Sequence, residues 1–481
     1  MRDQKSETYF KEWIDREAVA ERMVPVIGNL YREHGVVVTI VGRSLVRNSP
    51  IEILKAHRFA RHFLDQELSV ELTSSMLKAL GKLELAASRV DIGKLARRYQ
   101  DQPSGTDVET FLRAELDQVN AGKDLLSADP RDVVLYGFGR VGRMLARIFI
   151  ERSGGGDKWR LRGVVVHRRS EDDLQKRASL LRRDSIHGPF KGTVQLDRDE
   201  HALVVNGNMI RILYSESPDQ ADYYRYGIED AIVVDNSGMW RDRETLGLHL
   251  KARGVDKVIL TAPGEGDIPN IIYGVNNCDI CPEERLFSAG SCTTNAIVPV
   301  LKVLDDRFGI EQGHIDTCHS YTNDQNLVDN FHKKGRRGRG APLNMVITET
   351  GSAEAIAKAL PGLKGKLTAN AIRVPTPNVS LAILKLSLRR STAAEEVNHY
   401  LREISLDSSL QGQIDYTSSP EVVSSDFNGT LKTGIVDSLS TIVTGNQCVL
   451  YVWYDNEYGY AGQVVRIVQY LSGLELPSYP S

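Results

Sequence analysis

The sequence predicts an α/β protein: a doubly wound parallel sheet, then an α+β domain with a mostly antiparallel sheet, both preceded by a mainly helical N-terminal region. Three observations carry that prediction. Short apolar runs alternate with helical segments from Pro130 onward, the apolar runs lengthen and alternate with polar residues after about Thr293, and the chain before about residue 128 is charged and helix-favouring. At 481 residues the length suits about three domains. Hydrophobic residues at 41% and charged residues at 26% are the balance of a folded chain rather than a disordered one. A net charge of −3 argues against the broadly basic surface of a bulk nucleic-acid or anionic-membrane binder.

Residues 1–128 read as a helical extension or small bundle. Leu72, Met76, Leu80 and Leu83 recur at helical spacing, as do Ile92 and Leu95. Acids and bases are interspersed, the pattern of solvated helix faces. The run VVVTIV at 36–41 is the one β-like stretch here, and it fits a strand or a buried helix. The start, MRDQKSETYFKEWIDRE, mixes acids with bases and lacks an apolar core, so it does not read as a targeting peptide. No stretch approaches the ~20 apolar residues of a membrane span, and no membrane partner is expected. The five cysteines (Cys278, Cys281, Cys292, Cys318 and Cys448) are odd in number and few for a disulfide framework, so a reducing cytoplasm is expected.

Beyond Pro130, apolar runs at 133–136, 161–166, 231–234, 257–261 and 285–289 are interleaved with helical segments such as 141–150, the pattern of a parallel sheet covered on both faces. Ser153-Gly154-Gly155-Gly156 reads as a connecting turn. The run NVSLAILKLSL at 378–388 suits a sheet with one face packed. The first apolar run leads straight into Gly137-Phe138-Gly139-Arg140-Val141-Gly142 and an apolar helix. In that strand–turn–helix context the glycines form a Rossmann-type dinucleotide cradle. Gly137 makes the tight turn, Gly139 lets backbone approach a pyrophosphate, and Gly142 lets helix pack on strand. The helix N-terminus supplies N–H groups and positive dipole to the phosphates. At the end of the second strand an NAD site usually has a carboxylate for the ribose hydroxyl. Here stand His167, Arg168 and Arg169, which either accept the 2′-phosphate of NADP or simply face solvent.

Ser291-Cys292-Thr293-Thr294-Asn295 ends an apolar strand and opens a helix. A thiol at a helix N-terminus has its thiolate favoured by the dipole and the free N–H groups. His319, at the end of a later β-like run, is a candidate base for it. Taken singly, each residue also fits a packing role. The two together suggest nucleophile and base.

Five motifs then fall in collinear order: Gly-Phe-Gly-Arg-Val-Gly-Arg (137–143), Ser-Cys-Thr-Thr-Asn (291–295), His-Ser-Tyr-Thr-Asn-Asp (319–324), Lys-Leu-Thr through Ile-Arg-Val-Pro-Thr-Pro-Asn-Val-Ser (366–380) and Trp-Tyr-Asp-Asn-Glu-Tyr-Gly-Tyr (453–460). Together they resemble phosphorylating glyceraldehyde-3-phosphate dehydrogenase, here in a long form with an N-terminal extension. The resemblance runs from residue 130 to about 475. It implies a dinucleotide-binding domain at 130–291 completed by 456–481, and a catalytic domain at 292–455, after the extension at 1–128. It implies oxidation of an aldehyde phosphate to an acyl phosphate, with NAD or NADP, in a reversible step of glycolysis or gluconeogenesis. Cys292 would be the nucleophile and His319 the base. Ser291, Thr293, Thr322, Asp324, Arg337, Thr350, Gly351 and Arg373 would surround the phosphate groups. Asn456 would hold the nicotinamide carboxamide, with Tyr460 near its ring. Arg140 would lie by the pyrophosphate, and Ser237-Gly238 along the cofactor. A homotetramer is implied as well.

The family often carries a proline near a neighbouring subunit's adenosine, in the segment before Arg337. Asp329 to Gly335 here carries none, which with the missing strand-end acid weakens the case for strict NAD use. Cys278-Asp279-Ile280-Cys281 is half of a zinc-ribbon ligand set and predicts no metal. The basic run 333–339 reads as an anion-lined subunit loop before a nucleic-acid contact. Two alternatives stay beside the leading one: erythrose-4-phosphate dehydrogenase, and a non-catalytic regulatory or scaffold protein on this fold.

Overall fold

The computed structural model describes residues 4–64, 66–103, 105–117, 119, 130–153 and 158–480. Gly154 to Gly156 of the expected connecting turn lie outside the described residues. The chain forms two compact units, one of residues 1–130 with 153–158 and 473–481, the other of 131–152 with 159–472. No helix among the described residues is long and apolar enough to cross a membrane.

The first unit is mainly helical, from the long helix Gln4–His34 to Val108–Glu115. Ser69 caps the helix Val70–Leu80 by accepting the Leu72 N–H at 3.2 Å, and the helix turns Met76, Leu77 and Leu80 inward. A bundle alone does not describe this unit, because it also holds a four-stranded sheet. The β-like run becomes the strand Val37–Ile40, parallel to Arg89–Asp91, which in turn pairs with Ser478–Tyr479 from the far end of the chain. The buried Asp91 carboxylate joins strand, turn and helix. It accepts the N–H groups of Val41, Gly93 and Lys94 at 3.0 Å and of Gly42 at 2.7 Å, and it caps Ile92–Gln100.

The second unit carries two sheets. One runs Leu286–Ser288, Val255–Leu260, Ala231–Asp235, Arg131–Tyr136, Trp159–Val166 and Asn208–Tyr214, all parallel. An antiparallel edge of Ala202–Val205 and Val194–Asp197 completes it. Strand order reverses beside Arg131–Tyr136, and the crevice at such a switch point is where doubly wound sheets take ligands. Gly137 and Asn236-Ser237-Gly238 stand there. Gly137 has φ +100°, a conformation that disfavours a side chain, and a Cβ on Gly142 would sit 2.6 Å from the Gly137 carbonyl.

The other sheet runs Val346–Thr348, Leu367–Val374, Ile310–Ser320, Ser380–Leu388, Gln447–Tyr454, Gly434–Asp437 and Ile414–Thr417, mostly antiparallel. Helix Cys292–Phe308 packs on it, placing Ile297, Leu301 and Leu304 in one core with Ile315, Leu384 and Leu450. Each such side chain contributes about 1.5–3 kcal/mol on leaving water. That core fixes the N-terminus of the helix, and hence Cys292, against the strand carrying His319. The final helix, Tyr458–Leu471, packs on Arg140–Glu151.

Candidate active site

Strand Leu286–Ser288 delivers the chain to Gly290 and then to Ser291, the N-cap of helix Cys292–Phe308. The Ser291 hydroxyl accepts the Thr294 N–H at 3.2 Å, and Asn295 Nδ2 donates to the carbonyls of Ala289 and Ser291 at 2.7 and 2.9 Å. These bonds fix Cys292 in the first turn. His319 comes from strand Ile310–Ser320, and the parallel register sets it beside Arg373 of Leu367–Val374. Cys292 Sγ lies 3.5 Å from His319 Nε2. The imidazole stands edge-on to Tyr454, whose hydroxyl bonds the Thr293 hydroxyl at 2.9 Å.

Two partners compete for the far side of that imidazole. His319 Nδ1 lies 2.7 Å from the Ser320 carbonyl and 2.7 Å from Arg373 Nη1, which also donates to Ser320 O at 3.2 Å. Arginine only donates, so its bond to Nδ1 leaves the neutral ring's proton on Nε2, whereas Nδ1–H donating to Ser320 leaves Nε2 as the acceptor facing sulfur. Burial first, and the Arg373 charge second, push the His319 pKa down to about 3. Burial also pushes the Cys292 thiol up, against the pull of Arg373. In the unliganded pair, burial thus works against charge on both the thiol and the imidazole. The backbone N–H groups at the helix start still pull toward the expected thiolate, and loss of water opposes them.

The positive charge is concentrated. Arg337, already depressed by burial, is pushed further down by Arg373. Arg373 Nε is buried without a hydrogen-bond partner among the described residues. Two crowded guanidiniums with an unused N–H favour an anion. Asp324 pairs with Arg337, so it orients the guanidinium, because a carboxylate would repel phosphate. The Thr350 hydroxyl bonds Ser352 at 2.7 Å, and Thr322 opens a turn closed by the Gln325 N–H. Gly351 is exposed, with open space where a Cβ would stand.

At the dinucleotide crevice, a Cβ on Gly139 would meet nothing within 4 Å, which leaves the helix N-terminus approachable, while Phe138 is buried and Val141 half-buried. The Ser237 hydroxyl donates to Asp235 at 2.6 Å and Gly238 follows with φ +66°. Arg140 is clamped between Glu457 and Asp184, at 2.5 and 3.1 Å. Arg168 is exposed, its guanidinium 5.7 Å from the centre of the Tyr214 ring. Asn456 Oδ1 accepts hydrogen bonds from Ser320 at 2.7 Å and Ser380 at 3.2 Å, so its NH2 group carries the donors offered to a ligand. The buried Tyr460 donates to the Gly290 carbonyl at 3.0 Å. A cradle open over Gly139 and an oriented Asn456 amide fit a dinucleotide. Sequence reasoning missed Ser320 and Ser380. Their only signal was position, one beside His319 and one closing the Pro-Asn-Val-Ser run. Among the described residues no cluster of His, Cys, Asp and Glu could hold a metal ion.

This fold and site define a protein with a Rossmann-type dinucleotide-binding fold and a partly buried thiol–imidazole pair at the second sheet of the same unit. The chain belongs to the glyceraldehyde 3-phosphate dehydrogenase family. The family's NAD binding domain matches residues 131–243 and its C-terminal domain residues 291–456. A glyceraldehyde-3-phosphate dehydrogenase-like protein of Pseudomonas aeruginosa is 56% identical over 460 residues, covering 95% of this chain and 100% of that protein. Glyceraldehyde-3-phosphate dehydrogenase of Priestia megaterium is 40% identical over 340 residues, covering 70% of this chain and 97% of that one. The chloroplastic A form of Zea mays is 40% identical over 336 residues, covering 70% and 81%. The first of these alignments is long enough to include most of the N-terminal extension.

Proposed function

We propose that the protein is an NAD(P)-dependent phosphorylating aldehyde dehydrogenase acting on glyceraldehyde 3-phosphate. The observation that carries this reading is Cys292 Sγ at 3.5 Å from His319 Nε2, with Arg373 against the same imidazole. The residues proposed to hold the dinucleotide are Gly137, Phe138, Gly139, Arg140, Val141, Gly142, Arg168, Ser237, Gly238, Asn456 and Tyr460. When bound, the dinucleotide supplies the hydride acceptor.

Both depressed basicity at His319 and raised thiol pKa favour proton transfer during attack rather than before it. Sγ bonds to the aldehyde carbon as its proton passes to Nε2, giving a hemithioacetal. Its oxyanion is placed to take hydrogen bonds from the Cys292 backbone N–H and from His319. After oxidation to the thioester, inorganic phosphate attacks the carbonyl, the C–S bond breaks, and an acyl phosphate leaves. Arg373 and Arg337 suit the two anions, with Ser291, Thr293, Thr322 and Thr350 as neutral donors and Asp324 and Gly351 shaping the site. An anion that draws Arg373 off Nδ1 leaves Ser320 as the partner there. That stabilises the tautomer able to receive the thiol proton, and so couples phosphate binding to base function.

Use of NADP is supported at the end of strand Trp159–Val166, where Arg168 and Arg169 are exposed and the nearby Asp173 is engaged by Arg177 and Tyr214. Exposed Leu327, Phe331, Leu343 and Met345 support assembly into a homotetramer, and five free thiols support a cytoplasmic setting. The test is a steady-state assay with both nucleotides and with glyceraldehyde 3-phosphate or erythrose 4-phosphate, with and without phosphate. The proposal expects phosphate-dependent turnover of the three-carbon substrate. Phosphate-independent turnover of the four-carbon one would replace it with the erythrose reading, and no turnover of either would leave a non-catalytic role. A strong NAD preference in kcat/KM would remove the NADP assignment.

A further inference from the structure

Resting on that reading, we infer that His187 is a positioning residue that holds Asn456 toward the nicotinamide carboxamide by bracing the carboxylates on both sides of it. Neither motif analysis nor the proposed chemistry uses this residue. Its side chain is only 2% exposed. Nε2 lies 3.2 Å from Asp455 Oδ2, and Nδ1 lies 3.4 Å from Asp184 and 3.7 Å from Glu457. The imidazole ring stacks on Tyr458 at 5.5 Å. It thus touches residues 455, 457 and 458, every neighbour of Asn456 in the turn that opens the last helix.

The turn depends on these groups. Asp455 Oδ1 accepts the N–H groups of Glu457 and Tyr458 at 2.9 and 2.8 Å, and Oδ2 accepts the Gly429 N–H at 2.8 Å. Asp184 receives the N–H groups of Ile186 and His187 and pairs with Arg140, which also grips Glu457. Three loops are therefore joined: the glycine turn through Arg140, the segment 184–187, and the turn 455–458. Three carboxylates (Asp184, Asp455, Glu457) gather here; Arg140 pairs directly with Asp184 and Glu457, and Arg143 and Arg147 add positive charge at longer range to Asp184. The neutral groups at the ring are Tyr458 and the Asn378 amide, 3.4 Å from Nε2. A cation at His187 faces the remaining carboxylate, Asp455. Burial alone would push the imidazole down, but Asp455, then Glu457 and Asp184, more than offset it and raise its pKa above the ordinary value. Charge on His187 keeps the two flanking carboxylates drawn to one point. Without it they repel one another and the turn that carries Asn456 loosens, leaving the amide held by Ser320 and Ser380 alone.

The experiment is nucleotide binding, read by equilibrium titration of NAD and NADP between pH 6 and 9.5 without aldehyde, on wild type and His187→Gln. The expected result is a wild-type Kd that rises as pH increases through the His187 titration. The variant should bind on the order of tenfold more weakly near neutrality, with a flat profile and an unchanged rate of Cys292 alkylation by iodoacetamide. A variant matching wild-type affinity at every pH overturns the inference. A wild type that binds neither nucleotide overturns the functional reading and this inference with it. Should the variant fail to fold, carbon NMR of the labelled histidines in the wild-type protein decides. An imidazolium that persists above pH 7 and is lost in step with affinity supports the assignment, and a neutral His187 at pH 7 overturns it.

Discussion

The two ends of the candidate site each bury one histidine, and they treat it in opposite ways. At the thiol end His319 meets Arg373 and lies near Arg337, so burial and positive charge act together to keep it neutral. At the carboxamide end His187 meets Asp455, Asp184 and Glu457, and the carboxylates more than offset burial. The difference shows that burial alone does not decide the state of an imidazole; the sign of the charge brought in by neighbouring loops does. A base must be neutral to accept a proton. A brace between carboxylates must be charged to hold them.

The largest expected effect separates chemistry from binding. Cys292→Ser should abolish dehydrogenase turnover and iodoacetamide inactivation while leaving nucleotide affinity nearly intact; substantial residual turnover would falsify the covalent mechanism. Next, His319→Asn should slow turnover by on the order of 10²–10⁴-fold near neutral pH. A rate unchanged between pH 6 and 9 would take the base role from His319. The electrostatics add a sharper test. Burial holds the Cys292 thiol above its ordinary value of 9. The alkylation rate of the unliganded protein should therefore keep climbing through pH 9, and a plateau near pH 6 would indicate a preformed thiolate. At the other end, Ser320→Ala removes one of two donors to Asn456. A hydrogen bond is worth about 0.5–1.5 kcal/mol net, so the nucleotide Kd should rise about fivefold with alkylation unaffected.

How much of this was legible in the sequence follows from what each feature depends on. Gly137, Gly139 and Gly142 lie within one strand–turn–helix, and Cys292 lies at one helix start, so local pattern sufficed. The contact of Arg373 with His319 depends on a parallel register between strands 54 residues apart, which no local signal encodes. The same holds for Ser380, 76 residues from Asn456. His187 sat in a polar loop with nothing to mark it as buried. In the extension, the helical spacing of Met76 and Leu80 was readable. Its sheet was not, because beyond the local partner Arg43–Ser44 the strand Val37–Ile40 pairs with Arg89–Asp91, which pairs in turn with Ser478–Tyr479 at the other end of the chain. The opposing pulls on Cys292 divide the same way: a helix dipole can be read from the sequence, and the desolvation that works against a thiolate cannot.

The last effect is on stability, and it tests the comparison most directly because the two histidines should leave opposite signatures. His319 has a folded pKa of about 3, below its unfolded value near 6.5. The unfolded chain binds that proton more readily, so the stability tied to a neutral His319 is complete above pH 6.5 and is lost as pH falls toward 3. His187 has a raised folded pKa. Its contribution is complete below pH 6.5 and is lost as pH rises through the folded value. His319→Asn should therefore flatten the acid side of the unfolding midpoint against pH, and His187→Gln the alkaline side. Each kcal/mol is worth about 2–4 °C in a domain of 150–250 residues, so the shifts are measurable by calorimetry on full-length protein. If both variants flattened the same side, the charge states of the two histidines would not be opposite, and the contrast between the two ends of the site would fail.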